Sequence, residues 1–146
     1  MSETLTAYED IFKYFYSKVK DYDFVDLDDD DLEDILTSYL RSSIVRFRSC
    51  RKDLSDRDDE TKEFNITLAD EEIEILANLM IVEWLNPQLQ TTELIRQSLS
   101  MRDARMYSQA AHIRELMELR EKAKQEAQQL MTAYSYAELG DFLDGN

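Results

Sequence analysis

Glycine and proline are almost absent from this chain of 146 residues. Both glycines, Gly140 and Gly145, lie within the last seven residues, and Pro87 is the only proline. Phosphate-binding loops, nucleophile elbows and tight hairpins need glycine, because their backbone takes positive φ or approaches a ligand closely. The scarcity of both residues therefore predicts an all-α fold and weighs against an enzyme.

Residues suited to metal binding or nucleophilic catalysis are equally scarce. Cys50 is the only cysteine, so no intrachain disulfide and no cysteine-based zinc site can form. His112 is the only histidine, and its helical neighbours do not supply the nucleophile and orienting group of a triad. An aspartate run from Asp26 places Asp31 where a calcium loop needs glycine and Thr37 where it needs glutamate. We therefore predict no catalytic residue, no metal site and no cofactor.

Long apolar runs and a basic leader are missing as well. The longest apolar stretch, Ile73 to Leu85, has about 13 residues and contains Glu74, Asn78 and Glu83, whereas a membrane span needs about 20. The first residues have neither the basic region nor the apolar region of a signal peptide. We expect a soluble protein that has no contact with a membrane.

Positive charge is in short supply, with 17 basic residues against 32 acids and a net charge of −15. Tight nucleic-acid binding draws its affinity from basic residues that displace counterions at phosphates, so specific DNA binding is not expected. The charge is uneven, with twelve acids and three lysines from Met1 to Asp34, but seven basic residues and five acids from Arg41 to Lys62. One interpretation of the acidic half is a solubilising face.

Apolar periodicity predicts two helices in the first third of the chain. Thr6 and Glu9 have the spacing of a capping box, and apolar residues then recur at helical spacing until about Lys20. A second apolar stripe predicts a helix from about Asp30 to Phe47, whose start the aspartates suit by charge.

The second half predicts two or three further helices. One begins at Thr67 or Ala69, is apolar on almost every side and is therefore central, and it stops at Asn86-Pro87, because the residue before proline is pushed out of the α region. A short helix follows at 91–99. A last helix runs from about Met101 to Tyr134 and would be about 50 Å long.

Two segments fall outside this pattern. Residues 48–66 alternate in charge without apolar periodicity and predict a long exposed loop, whose end near Phe64 and Ile66 could pair as an extended edge with another chain. Residues 135–146 carry Tyr136, Leu139, Phe142 and Leu143 on a C-terminal arm that needs a surface to cover. We thus expect one domain over residues 1–134, a helical bundle of four to five helices, followed by this arm.

Four segments together resemble a small structural protein of tailed bacteriophages, of the head completion or head-tail connector (adaptor) family. These segments are TAYEDIFKYFYSKVKDYDF, DLEDILTSYLRSSIVRFRSCRKDLSDRD, EIEILANLMIVEWLNPQLQT and RDARMYSQAAHIRELMELREKAKQEAQQLMTAYSY. The likeness spans about Thr6 to Tyr136 and rests on the order and character of the segments. It contains no chemically defined motif.

This resemblance implies a structural virion protein at the head-tail interface, present in the host cytoplasm during assembly. Its partners would be the portal protein, neighbouring neck or tail proteins and further copies of itself, about twelve in a ring. DNA would pass nearby without specific binding, because an acidic channel repels phosphate.

Residue chemistry assigns two candidate surfaces to such a protein. The candidate subunit or portal interface consists of Arg48, Arg51, Phe64, Ile66, Tyr136, Leu139, Phe142 and Leu143. The candidate channel-facing surface consists of Asp28, Asp29, Asp30 and Asp31. The alternative function is an acidic DNA mimic or another protein-binding inhibitor, although basic residues scattered from Lys13 to Lys124 interrupt any phosphate-like stripe.

Overall fold

The computed structural model describes the backbone of residues 4–19, 29–98 and 105–144, and the side chains of residues 4–19, 31–90 and 113–137. Within these ranges the chain is mostly helical, with four helices and one small two-stranded sheet. In chain order the elements are α1 (Tyr8–Val19), α2 (Asp29–Arg46), β1 (Arg57–Asp58), β2 (Glu63–Phe64), α3 (Asp70–Ser98) and α4 (Arg105–Asp144). The predicted all-α class is confirmed.

Helix α3 lies at the centre of the fold and contacts α1, α2 and α4. Its side chains are buried on almost every side, which an amphipathic surface helix would not allow. The fully buried ones include Ile75, Leu76, Ala77, Met80, Ile81 and Leu85. The predicted central position of this helix is confirmed.

Helix α3 does not stop at Pro87, and this prediction was wrong. The helix continues to Ser98, so the predicted short helix at 91–99 is its last part. A proline inside a helix costs about 3 kcal/mol, because it removes one hydrogen bond and crowds the preceding turn. Leu85 and Leu89 on either side are buried in one core cluster with Ile113 and Leu116 of α4, and this burial offsets the cost.

Helices α3 and α4 run antiparallel. Tyr134 contacts Glu72, and Arg120 contacts Asn86, so a step of 14 residues along one helix matches 14 residues back along the other. With 40 residues, α4 is about 60 Å long.

The predicted arm is also corrected, because residues 135–144 continue α4 as helix. Gly140 is the only glycine or proline within α4, and one glycine costs a helix only about 1 kcal/mol. The side chains of Leu139, Phe142 and Leu143 lie outside the described residues.

The segment after α2 is not an open loop, which corrects the sequence prediction for residues 48–66. Strands β1 and β2 pair antiparallel, Arg57 opposite Phe64 and Asp58 opposite Glu63. The Phe64 side chain is fully buried and packs edge-to-face on Tyr8 with ring centroids 5.2 Å apart. Leu54 is buried as well. These two isolated apolar residues order the segment. The extended edge predicted near Phe64 and Ile66 pairs within the chain, with β1 and with Thr6, and not with another chain.

The residues before α1 lie beside β2. Phe64 N donates to Thr6 O at 2.8 Å, and Thr6 N donates to Ile66 O at 3.1 Å. The Thr6 hydroxyl accepts a hydrogen bond from Leu68 N at 2.8 Å. The predicted capping box of Thr6 and Glu9 is not formed, and the Asp10 carboxylate accepts a hydrogen bond from Ala7 N at 3.1 Å at the start of α1. Thr6 therefore joins the start of α1 to the start of α3 rather than capping α1.

Candidate functional site

An open groove lies between the C-terminal half of α2, the middle of α3 and the C-terminal half of α4. We call it the α2–α4 groove and define it by Val45, Arg46, Arg48, Val82, Met131 and Tyr136. It consists of two adjoining cavities of about 470 and 680 Å³, which share Arg46, Arg48, Gln128 and Met131. These volumes are large enough for side chains of a partner.

The floor and the edges of the groove are apolar. Leu79, Val82 and Met131 are buried or partly buried and line its floor. Val45 and Tyr136 stand at its edges with 68% of each residue exposed. An exposed apolar cluster with polar edges is typical of a protein interaction site.

The rim of the groove is basic, although the chain as a whole is strongly acidic. Arg46 forms an ion pair with Glu83 across the groove. Within the described residues, no carboxylate forms an ion pair with Arg48 or Lys124, which also line the groove. The groove therefore presents two uncompensated positive charges beside apolar surface.

A buried carboxylate near this groove joins helices α3 and α4. Glu72, only 2% exposed, accepts hydrogen bonds from the Tyr134 hydroxyl at 2.7 Å and from Ala69 N at 2.7 Å. It also forms an ion pair with Lys52 at 2.8 Å. Burial raises the pKa of Glu72, but the hydrogen bonds from Lys52, Tyr134 and Ala69 outweigh burial and hold the pKa below its ordinary value. Glu72 is thus a charged, well-satisfied anchor between α3, α4 and the segment after α2.

The same tyrosine also holds the segment that follows α2. Arg51 N donates to the Tyr134 hydroxyl at 2.9 Å, and the Arg51 guanidinium donates to Tyr134 O at 3.1 Å. That guanidinium lies 3.9 Å from the centre of the Tyr134 ring, and Phe47 packs edge-to-face on it at 5.4 Å. This clamp fixes Arg48, three residues before Arg51, relative to α4.

The cluster around Glu72 offers no activated nucleophile. The Cys50 thiol donates to Glu72 at 3.7 Å, and burial, the largest cause, raises the pKa of the thiol. A raised pKa leaves less of the reactive thiolate. Within the described ranges, no group of histidine, cysteine, aspartate and glutamate side chains could hold a metal ion.

The structure brings together two of the predicted interface residues and separates others. Arg48 and Tyr136 both line the groove. Arg51 is bound to Tyr134 of the same chain. Phe64 was wrongly predicted as an interface residue, because it is fully buried in the core, and Ile66 packs partly buried against that core.

The predicted acidic surface is described only in part. Asp31 is exposed in the first turns of α2. For Asp29 and Asp30 only the backbone, which is helical, is described, and Asp28 lies outside the described residues.

Sequence reasoning missed Val45, Arg46 and Lys124. Val45 carried a usable signal, because it is apolar and lies outside the stripe that predicts the buried side of α2. Arg46 and Lys124 gave no such signal, since the ion pair of Arg46 with Glu83 and the lack of an ion pair for Lys124 within the described residues appear only in three dimensions.

No protein-family model, curated protein or solved structure matches this chain. None of the helices within the described ranges is both long and apolar enough to cross a membrane.

Proposed function

We propose that this chain is a structural virion protein of a tailed bacteriophage, a head-tail connector (adaptor) subunit. About twelve copies would form a ring that docks on the portal and continues the DNA channel toward the tail. The observation that carries the proposal is the α2–α4 groove, whose apolar edges and unpaired cations call for a protein partner.

The protomer suits such a ring in two respects. Helices α1, α2 and α4 all contact α3, which suits a body that makes repeated contacts, and α4 is long enough to reach beyond it. A cyclic assembly joins one surface of each copy to a different surface of the next, so an open groove is an expected feature.

The charge of the chain suits passage of DNA. Among the acids of α2, Asp31 and Asp34 are exposed. Acids such as Asp28, Asp29, Asp30 and Asp31, when lining the channel, would repel phosphate and let DNA slide.

A non-enzymatic role agrees with the site chemistry. The buried Glu72 has its hydrogen bonds filled by the protein itself, and the Cys50 thiol has a raised pKa. The apolar side chains of the groove, such as Val45 and Met131, suit contact with a partner, and Glu83 of the groove is engaged in an ion pair with Arg46.

The test is coexpression with the portal protein of the same phage, followed by cryo-electron microscopy of the purified complex. We expect a ring of this chain on one end of the portal. Val45→Asp, which places a charge at the groove edge, should abolish the ring. The matched control Met117→Asp changes an exposed methionine of α4 away from the groove and should leave it intact.

The opposite result is equally clear. If the chain does not bind the portal but binds a DNA-processing enzyme, with an affinity that falls steeply as salt is added, the result would support the DNA-mimic alternative and overturn the connector proposal.

A further inference from the structure

The groove and α1 lie on opposite sides of α3. Leu79 and Glu83 of α3 line the groove. On another side, Trp84 packs against Phe15 of α1 at 5.8 Å, and Glu74 pairs with Lys18 at 3.7 Å. With about 100° per residue, the mean directions of these two pairs differ by about 160° around the helix axis.

The outer face of α1 carries both an apolar anchor and acidic charge. Glu9, Asp10, Lys13, Tyr14 and Ser17 are its exposed residues. Tyr14 is 38% exposed, and Leu5, just before the helix, is 42% exposed.

The exposed large apolar side chains of the described residues fall mostly on these two surfaces. They are Leu5, Tyr14, Val45, Met117 and Tyr136. Two of the five border the groove, and two lie on or beside α1.

We propose that the α2–α4 groove of one copy binds the outer face of α1 of a second copy. The inference rests on the proposed function, because it names the contact between neighbouring subunits of the ring. A helix presenting one aromatic anchor is a common occupant of an apolar groove. Tyr14 would contact Val45 and Tyr136, and the acidic first turn of α1 would face Arg48 and Lys124.

Charge complementarity supports this occupant. Two copies of a chain with net charge −15 repel each other, so a contact is favoured where acids of one copy meet cations of the other that form no ion pair within the described residues. Arg48 and Lys124 are such cations, and Glu9 forms no ion pair within the described residues. The α1 helix of the same chain cannot reach the groove, because α3 lies between them. Surfaces on opposite sides of one protomer form a head-to-tail contact, which closes into a ring or extends into a filament.

The test is sedimentation equilibrium of the isolated full chain at low salt. Arg48→Glu and Glu9→Arg should each weaken self-association by about tenfold, and the double charge swap in one chain should restore it. Glu9 is chosen over Asp10 because Asp10 caps α1 through Ala7 N. The controls Arg114→Glu and Asp31→Arg make the same charge changes at exposed positions outside both surfaces and should have little effect.

A second variant tests the apolar part of the contact. Tyr14→Ala should also weaken association, with far-ultraviolet circular dichroism confirming that the helices remain. If Arg48→Glu weakens association while Glu9→Arg and Tyr14→Ala do not, the groove binds a different part of the chain and the inference is wrong. A wild-type chain that stays monomeric up to about 1 mM, the weak end of measurable affinity, overturns it as well.

Failure of this inference is distinguishable from failure of the proposed function. Self-association is measured on the isolated chain, without portal. A chain that does not self-associate but still binds the portal in the coexpression experiment rejects only the α1 contact. Intact self-association with no portal binding rejects only the connector role.

Discussion

The Tyr134 hydroxyl donates a hydrogen bond of 2.7 Å to the buried carboxylate of Glu72, 62 positions earlier in the chain. This contact joins the start of α3 to the C-terminal half of α4. Because Arg51 N donates to the same hydroxyl, one side chain holds three parts of the protein together.

Tyr134→Phe should lower the free energy of unfolding by about 1–3 kcal/mol, because Glu72 loses a donor and Arg51 N loses its acceptor. Urea denaturation measures the change. Tyr136→Phe is the matched control, since Tyr136 is exposed and its hydroxyl has no hydrogen-bond partner within the described residues. Equal midpoints for both variants would contradict the role given to Tyr134.

Glu72 should make stability depend on pH in the acid range. Its folded pKa lies below the ordinary value of 4.5, so the folded state binds fewer protons there than the unfolded state. Its contribution is therefore complete above pH 4.5 and is lost as the pH falls through the folded pKa. Comparing urea denaturation of the wild type and Glu72→Gln from pH 6 down to about pH 3 isolates this part. If the free energies of unfolding of the two proteins change in parallel with pH, the charge of the Glu72 carboxylate does not contribute to stability.

Leu76→Ala should cost about 2–5 kcal/mol of unfolding free energy, because Leu76 is fully buried in the first half of α3. Val45→Ala, at the exposed groove edge, should change it by less than about 0.5 kcal/mol. Chemical denaturation of both variants gives the comparison. A small effect of Leu76→Ala would remove α3 from the core.

Hydrogen exchange should show that the hairpin is ordered in the isolated protein. The amides of Phe64 and Thr6 donate to Thr6 O and Ile66 O, so we expect both to be protected. The exposed amide of Glu60, whose acceptor is the Asp58 side chain, is an internal comparison and should exchange faster. Rapid exchange at all three sites would support the long exposed loop that the sequence predicted.

The helices were predictable wherever apolar residues repeat on one face. The apolar stripe through Ile11, Phe15 and Val19 predicts α1, and the nearly continuous apolar run around Leu76 and Met80 predicts α3. All five side chains are fully buried in the structure. The end of α3 was predicted wrongly at Pro87. The prediction counted the helix-breaking effect of proline but not the burial of Leu85 and Leu89 in the core, which only the tertiary structure shows.

The hairpin and the groove were beyond local reasoning. Phe64 is one apolar residue in a charged segment, and only its contact with Tyr8 orders it. The charge of the groove depends on which of its cations form ion pairs. Such pairs join different helices, as Arg46 of α2 and Glu83 of α3 do, so the sequence alone does not reveal them. Arg48 and Tyr136 were proposed from composition alone, and the structure supplies the surface that they share.

The distance along the chain between Glu72 and Tyr134 has a consequence for biosynthesis. At a translation rate of about 5–20 residues per second, Tyr134 is added about 3–12 s after Glu72. During that interval the nascent chain can already offer Lys52 to the carboxylate, but the phenol that completes its hydrogen bonding does not yet exist. The groove is therefore a late product of synthesis, and a nascent chain lacks the groove surface until α4 has been made.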